Sequence, residues 1–279
     1  MHAFNAFFIA VSFAFLISLV ASVFGYYRMP PQIAVAAPSI AGRQVAHVFL
    51  LFLIVQFIAS PLIIQAMNQW NGTYANIPLD RLPIRILGWY YLLNIMLAVC
   101  AVFIYFYFLN KERQKVLVGK GGLSSFSFGA LSYLIVASWV VAIAYLFEGI
   151  QHYVPFNIRA HQVSVEFILK IAEIPSMLLV AAIVIVCVVP CLEELMFRGF
   201  LQTWLKEKYG GPKAVVLSSL VFAAFHFSPK QGITNIEILV SLYVLSLYLG
   251  FLRLRKDSLI APIGLHATFN LLTFINLAI

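Results

Sequence analysis

The stretch from Val180 to Arg198 reads Val-Ala-Ala-Ile-Val-Ile-Val-Cys-Val-Val-Pro-Cys-Leu-Glu-Glu-Leu-Met-Phe-Arg, and it decides the fold. It sits in an apolar run from about 176 to 205, longer than the roughly 20 residues that cross a bilayer as a helix. Yet the run carries Glu193, Glu194 and Arg198. One charge at mid-bilayer costs about 2.5–3.5 kcal/mol on the mildest scale, so all three must face a protein interior or a wet cavity. Pro190 cannot donate a backbone hydrogen bond and predicts a kink beside these charges. Broken helices at membrane depth are tolerated where they line a cavity.

The rest of the chain has the same character. Of 279 residues 63% are hydrophobic and 10% charged. A soluble domain has roughly 45–50% and about 25%. The apolar share is enough for roughly eight spans of about 20 residues. This excludes a soluble globular enzyme, a disordered tail and a nucleic-acid-binding domain; the net charge of +8 rests on too few charges to form a basic face. The long apolar runs also lack the alternation of a transmembrane β-barrel. The expected fold is all-α: a polytopic bundle of about eight transmembrane helices around an intramembrane polar cavity, with the lipid bilayer as its first partner. The helices are expected near 4–25, 46–67, 86–109, 127–147, 176–205, 213–229, 236–254 and 258–278. Pro30, Pro31 and Pro38 break the first connection, and Pro78 and Pro83 the second. The long segment 148–173 is half-apolar and is expected to lie partly along the interface. Residues 1–175 form N-terminal helices without a usable motif; 176–279 form the candidate catalytic core.

Charges in the connections give an orientation. Lys and Arg number 12 on one side (Arg28, Arg43, four in 111–120, three in 206–213, three in 253–256) and 5 on the other. By the positive-inside rule the richer side is cytoplasmic, which places both termini outside, and the expected site is a bacterial inner membrane. The first apolar run lacks a preceding Lys or Arg and reads as a retained span rather than a signal peptide. Cys100, Cys187 and Cys191 lie in apolar runs with neither disulfide nor metal spacing and read as buried hydrophobes. Asn71-Gly72-Thr73 is a sequon that suits a surface loop.

Polar residues also interrupt two later helices. His226 lies in Val221-Phe-Ala-Ala-Phe-His-Phe227, and His266 and Asn270 lie in Gly264-Leu-His-Ala-Thr-Phe-Asn-Leu271. At about 1.5 Å per residue from the nearest basic collar, Glu193 and His226 are both about 20 Å deep, and His266 and Asn270 about 15 and 21 Å. Glu194 with Arg198, and His266 with Asn270, are i, i+4 pairs that share a helix face. Glu193 is turned about 100° from Glu194, so one carboxylate is able to neutralise Arg198 while the other faces elsewhere. A carboxylate and an imidazole can activate a water. A second imidazole and a carboxamide can donate to a developing oxyanion. The same polar set would also suit a transporter or proton relay, or an immunity protein that binds without catalysis.

The three motifs, Glu193-Glu194-Leu-Met-Phe-Arg198, Phe222-Ala-Ala-Phe-His226 and His266-Ala-Thr-Phe-Asn270, resemble in this order those of the CPBP family of intramembrane proteases. That family includes the type II CAAX prenyl endopeptidases and the bacteriocin-processing and immunity (Abi) proteins. The resemblance covers roughly 176–279. It implies an intramembrane endopeptidase acting on a peptide or membrane-associated protein. Glu193 would activate water with His226, His266 and Asn270 would form the oxyanion hole, and Glu194 and Arg198 would support them. No cofactor is expected; the alternative is zinc held by Glu193, His226 and His266.

Overall fold

The computed structural model describes residues 2–30, 39–72, 77, 81–151, 163–232 and 234–278. Among them every regular element is a helix. The first half comprises α1 (His2–Val23), α2 (Gly42–Ile54), α3 (Ser60–Asn71), α4 (Ile84–Tyr107), α5 (Lys111–Val118), α6 (Leu123–Gln151) and α7 (Val163–Ile171). The second comprises α8 (Pro175–Ile183), α9 (Val189–Glu194), α10 (Gln202–Tyr209), α11 (Gly211–Phe225), α12 (Thr234–Lys256) and α13 (Ile260–Ala278). A π-helical segment, Val55–Ala59, joins α2 to α3 in one rod, and two more, Val184–Val188 and Leu195–Leu201, join α8, α9 and α10.

Seven of these rods are long and apolar enough to cross a membrane. The expected eighth, 213–229, is different. α11 has 15 residues, about 22 Å of helix, short of a full span. The apolar run continues to Phe227, but the backbone leaves the helix at His226 (φ −94°, ψ 2°). Pro229 drives the residue before it out of the α region, so the helix cannot run on. A 3₁₀ turn at Pro229–Gln231 follows before α12. Within 148–173, α6 extends to Gln151 and α7 is a short helix that buries Phe167, Ile168 and Ile171; the intervening residues, like Pro31, Pro38, Thr73 and Pro78, lie outside the described ones.

The connections that carry the expected basic collar are tied to one another at one end. Arg255 donates to the carbonyls of Tyr26 and Gly25, Arg253 donates to that of Val116 and pairs with Asp257, and Ile40 N–H donates to Glu207. Gly119 pairs with Ser258 at the same end; its φ of +71° and the carbonyl of Asp257 against it leave no room for a Cβ. Large apolar side chains such as Phe8, Phe24, Phe57 and Trp70 remain exposed around the bundle, as a lipid-facing surface requires.

α13 is held close to α6 through two glycines. A Cβ at Gly129 would overlap the carbonyl of Ala261, and one at Gly264 the carbonyl of Phe126. Small residues let membrane helices approach to backbone contact. Gly264 lies two residues before His266, so this contact also sets the height of that imidazole. Gly264→Leu is expected to cost about 1–3 kcal/mol by overpacking. A lowered thermal midpoint in detergent, read by intrinsic fluorescence, checks this.

Candidate functional site

The kink at Pro190 begins the site. In the π segment before it the Val189 N–H reaches back five residues to the Val184 carbonyl. The next donor in that register would be Pro190, which has no N–H. The Ile185 carbonyl is taken instead by Asn270 Nδ2 at 2.9 Å. Asn270 therefore repairs a backbone defect in the rod that carries the glutamates, and ties α13 to it. A π bulge also turns the following residues, and such bulges recur at functional sites.

The two adjacent glutamates diverge as their positions on the helix require. Glu194 is fully buried, and its Oε1 accepts from Arg198 Nη1 at 3.1 Å and from His266 Nδ1 at 2.9 Å. Arg198, also fully buried, uses Nη2 on the Ser246 carbonyl (3.2 Å) and hydroxyl (2.7 Å) of α12. Its guanidinium lies 4.6 Å from the centre of the Phe222 ring, a cation–π contact sheltered from solvent. Glu193, by contrast, is 22% exposed and opens into a cavity of about 940 Å³.

His226 ends α11. Its own N–H bonds the Ala223 carbonyl, three residues back, which leaves the Phe222 carbonyl for its ring: Nδ1 lies 2.8 Å away. A carbonyl only accepts, so Nδ1 carries the proton. Phe222 thus serves twice, as a ring beneath His226 at 4.7 Å between centroids and as the acceptor that orients it. His266 is oriented the same way by Glu194. Both Nε2 atoms then point at one carboxylate: His226 Nε2 is 3.9 Å from Glu193 Oε1 and His266 Nε2 is 3.7 Å from Glu193 Oε2. These distances are too long for direct hydrogen bonds and suit groups bridged by a shared small donor. In the neutral rings each Nε2 is an acceptor, so three acceptors face one another.

All six residues singled out from sequence therefore come together. Glu193, His226, His266 and Asn270 line the cavity, while Glu194 and Arg198 lie behind it. Among the described residues no group of three His, Cys, Asp or Glu side chains is placed to hold a metal ion. Sequence reasoning missed Ser246 and the Ile185 carbonyl, which no motif marks. It also missed Gln56 and Asn94, which line the same cavity from the N-terminal helices.

Residues 175–272 match the family described as type II CAAX prenyl endopeptidase Rce1-like. This segment is similar to that family. It runs from the start of α8 into α13 and contains all six residues above, in agreement with the resemblance to CPBP proteases. No curated protein and no solved structure matches the chain. With seven helices among the described residues long and apolar enough to cross a membrane, the Rce1-like match supports an integral multi-pass membrane protein and, in general terms, a CAAX-type intramembrane protease.

Proposed function

We propose that the protein is an intramembrane endopeptidase in which Glu193 and His226 activate a water, and His266 with Asn270 stabilises the oxyanion. The observation that carries this reading is the convergence of two imidazole Nε2 atoms on the Glu193 carboxylate inside a cavity. Three facing acceptors need a donor between them, and water supplies two hydrogens while keeping lone pairs for attack. The water oxygen bonds to the carbonyl carbon of the substrate, and its proton passes to Glu193, assisted by His226. The same proton then goes to the leaving nitrogen as the C–N bond breaks.

At rest His266 Nε2 is an acceptor; it donates to the oxyanion while it holds the proton that Glu193 Oε2, 3.7 Å away, has taken from the water. Asn270 has given one Nδ2 hydrogen to Ile185 and keeps the other. Glu194 and Arg198 are positioning residues. The chemistry is metal-free, the substrate is a peptide or membrane-associated protein, and prenylated CAAX chains are the first class to try. The orientation expected from the 12-to-5 distribution of Lys and Arg puts both termini outside a bacterial inner membrane on eight crossings. It therefore requires α11 with the turn after it to complete the crossing that its 15 helical residues do not span.

Purified protein in liposomes should cleave a quenched-fluorescent farnesylated CAAX peptide, keep its activity in chelator and contain no stoichiometric zinc. Membrane-peptide proteomics of cells with wild-type or Glu193→Ala protein identifies the natural cut. Bound zinc together with inactivation by chelator would overturn the metal-free chemistry. Solute or proton transport with no cleavage of any peptide would favour the transporter alternative.

A further inference from the structure

The cavity has a second polar feature, on helices outside the Rce1-like segment. Asn94 of α4 donates from Nδ2 to Gln56 Oε1 at 2.7 Å, and both residues line the cavity with Glu193. Two carboxamides on otherwise apolar helices need a reason to be there, because each exacts a desolvation cost in lipid. A simple tie between helices would satisfy both groups, and this one does not. The bond uses the donor of Asn94 and the acceptor of Gln56. Asn94 Oδ1 is left buried without a partner, and the Nε2 hydrogens of Gln56 are left uncommitted.

The backbone adds to the pattern. Gln56 lies in the π segment Val55–Ala59, where the Ser60 N–H reaches back to the Val55 carbonyl. The next residue, Pro61, cannot donate to the Gln56 carbonyl. This repeats the arrangement at Ile185 and Pro190, but there Asn270 supplies the missing donor. Two bulged helices thus line one cavity, with Glu193 on the first and Gln56 on the second. α4, which carries Asn94, packs against α9, which carries Glu193.

Resting on the protease reading, we infer that Gln56 and Asn94 form a subsite for one peptide unit of the substrate. A peptide unit presents one C=O acceptor and one N–H donor. Gln56 Nε2 meets the first, and Asn94 Oδ1, after a small turn of its amide, meets the second. The bond formed with the substrate relieves the buried acceptor, so binding and positioning are coupled. The class recognised is main-chain amide, independent of side-chain identity, which suits a site that must hold an extended chain beside Glu193.

The test uses Gln56→Met and Asn94→Leu, near-isosteric and compatible with a helix. In otherwise wild-type protein each should raise KM for the farnesylated CAAX peptide roughly tenfold, with kcat within about threefold. A purely structural role would instead lower kcat and the thermal midpoint. Binding is measured separately by fluorescence anisotropy of the labelled peptide on the Glu193→Gln protein, where cleavage plays no part. A series of depsipeptides, each with one N–H replaced by an ester oxygen, completes the set. At one position the ester should weaken binding to the parent but not to the Asn94→Leu form. Unchanged Kd in both variants, equal ester penalties in parent and variant, or no binding to the parent overturns the subsite. Cleavage by wild type decides the protease reading independently.

Discussion

Glu193→Gln is expected to lower kcat by roughly 10³- to 10⁴-fold, the scale of a lost general base. Folding and peptide binding should change little. Of the two adjacent carboxylates only Glu193 opens to the cavity, at 22% side-chain exposure against 0% for Glu194. Glutamine keeps the shape and one oxygen but replaces the other with a donor. That donor faces an imidazole Nε2 across a gap of 3.7–3.9 Å and closes it by direct hydrogen bonding. The water then loses both its place and its base. Glu193→Asp keeps the charge but withdraws it by one methylene, and should retain a small residual rate. Removing His226 as well should add little, since groups that act on one water are not additive. Product formation in proteoliposomes, followed by mass spectrometry, gives the rate, and the thermal midpoint reports the fold. A well-folded Glu193→Gln protein within threefold of wild-type activity would sink the proposed chemistry.

Much of this site was legible because the chain has so few charges. Glu193, Glu194 and Arg198 in an apolar run had no acceptable position facing lipid, and helical spacing separated the roles of the two glutamates. The depth estimates from the basic collars placed Glu193, His226, His266 and Asn270 near one level, and the four do line one cavity. Partners across helices were not legible. Periodicity along α13 says that His266 and Asn270 share a face, but not that one meets Glu194, 72 residues away, and the other the Ile185 carbonyl. The length of α11 was misjudged because hydropathy rates Phe225 and Phe227 alike, while Pro229 acts on backbone geometry. Gln56 and Asn94 passed unnoticed for a related reason. A neutral amide in an apolar run is unremarkable until packing brings a second one to it.

Arg198→Met should destabilise the fold by about 3–5 kcal/mol, the cost of leaving one partner of a buried ion pair uncompensated. Both members have 0% side-chain exposure, so water cannot replace the lost partner. The guanidinium also satisfies the carbonyl and hydroxyl of Ser246, so its loss strips donors from α12 as well. Glu194→Gln should destabilise for the complementary reason, by leaving a cation with no counter-charge in contact. The double variant, Arg198→Met with Glu194→Gln, removes both charges and should be more stable than either single variant. That recovery must stop at stability: a carboxamide at position 194 holds the His266 Nδ1–H less tightly than a carboxylate does, so cleavage should remain slow although the protein folds. Denaturant unfolding in detergent measures the coupling, and the peptide assay on the same four proteins measures the chemistry. Additive losses of stability would mean that the pair is not coupled through charge. Recovery of both stability and full activity would mean that Glu194 serves the fold alone, and that another group orients His266.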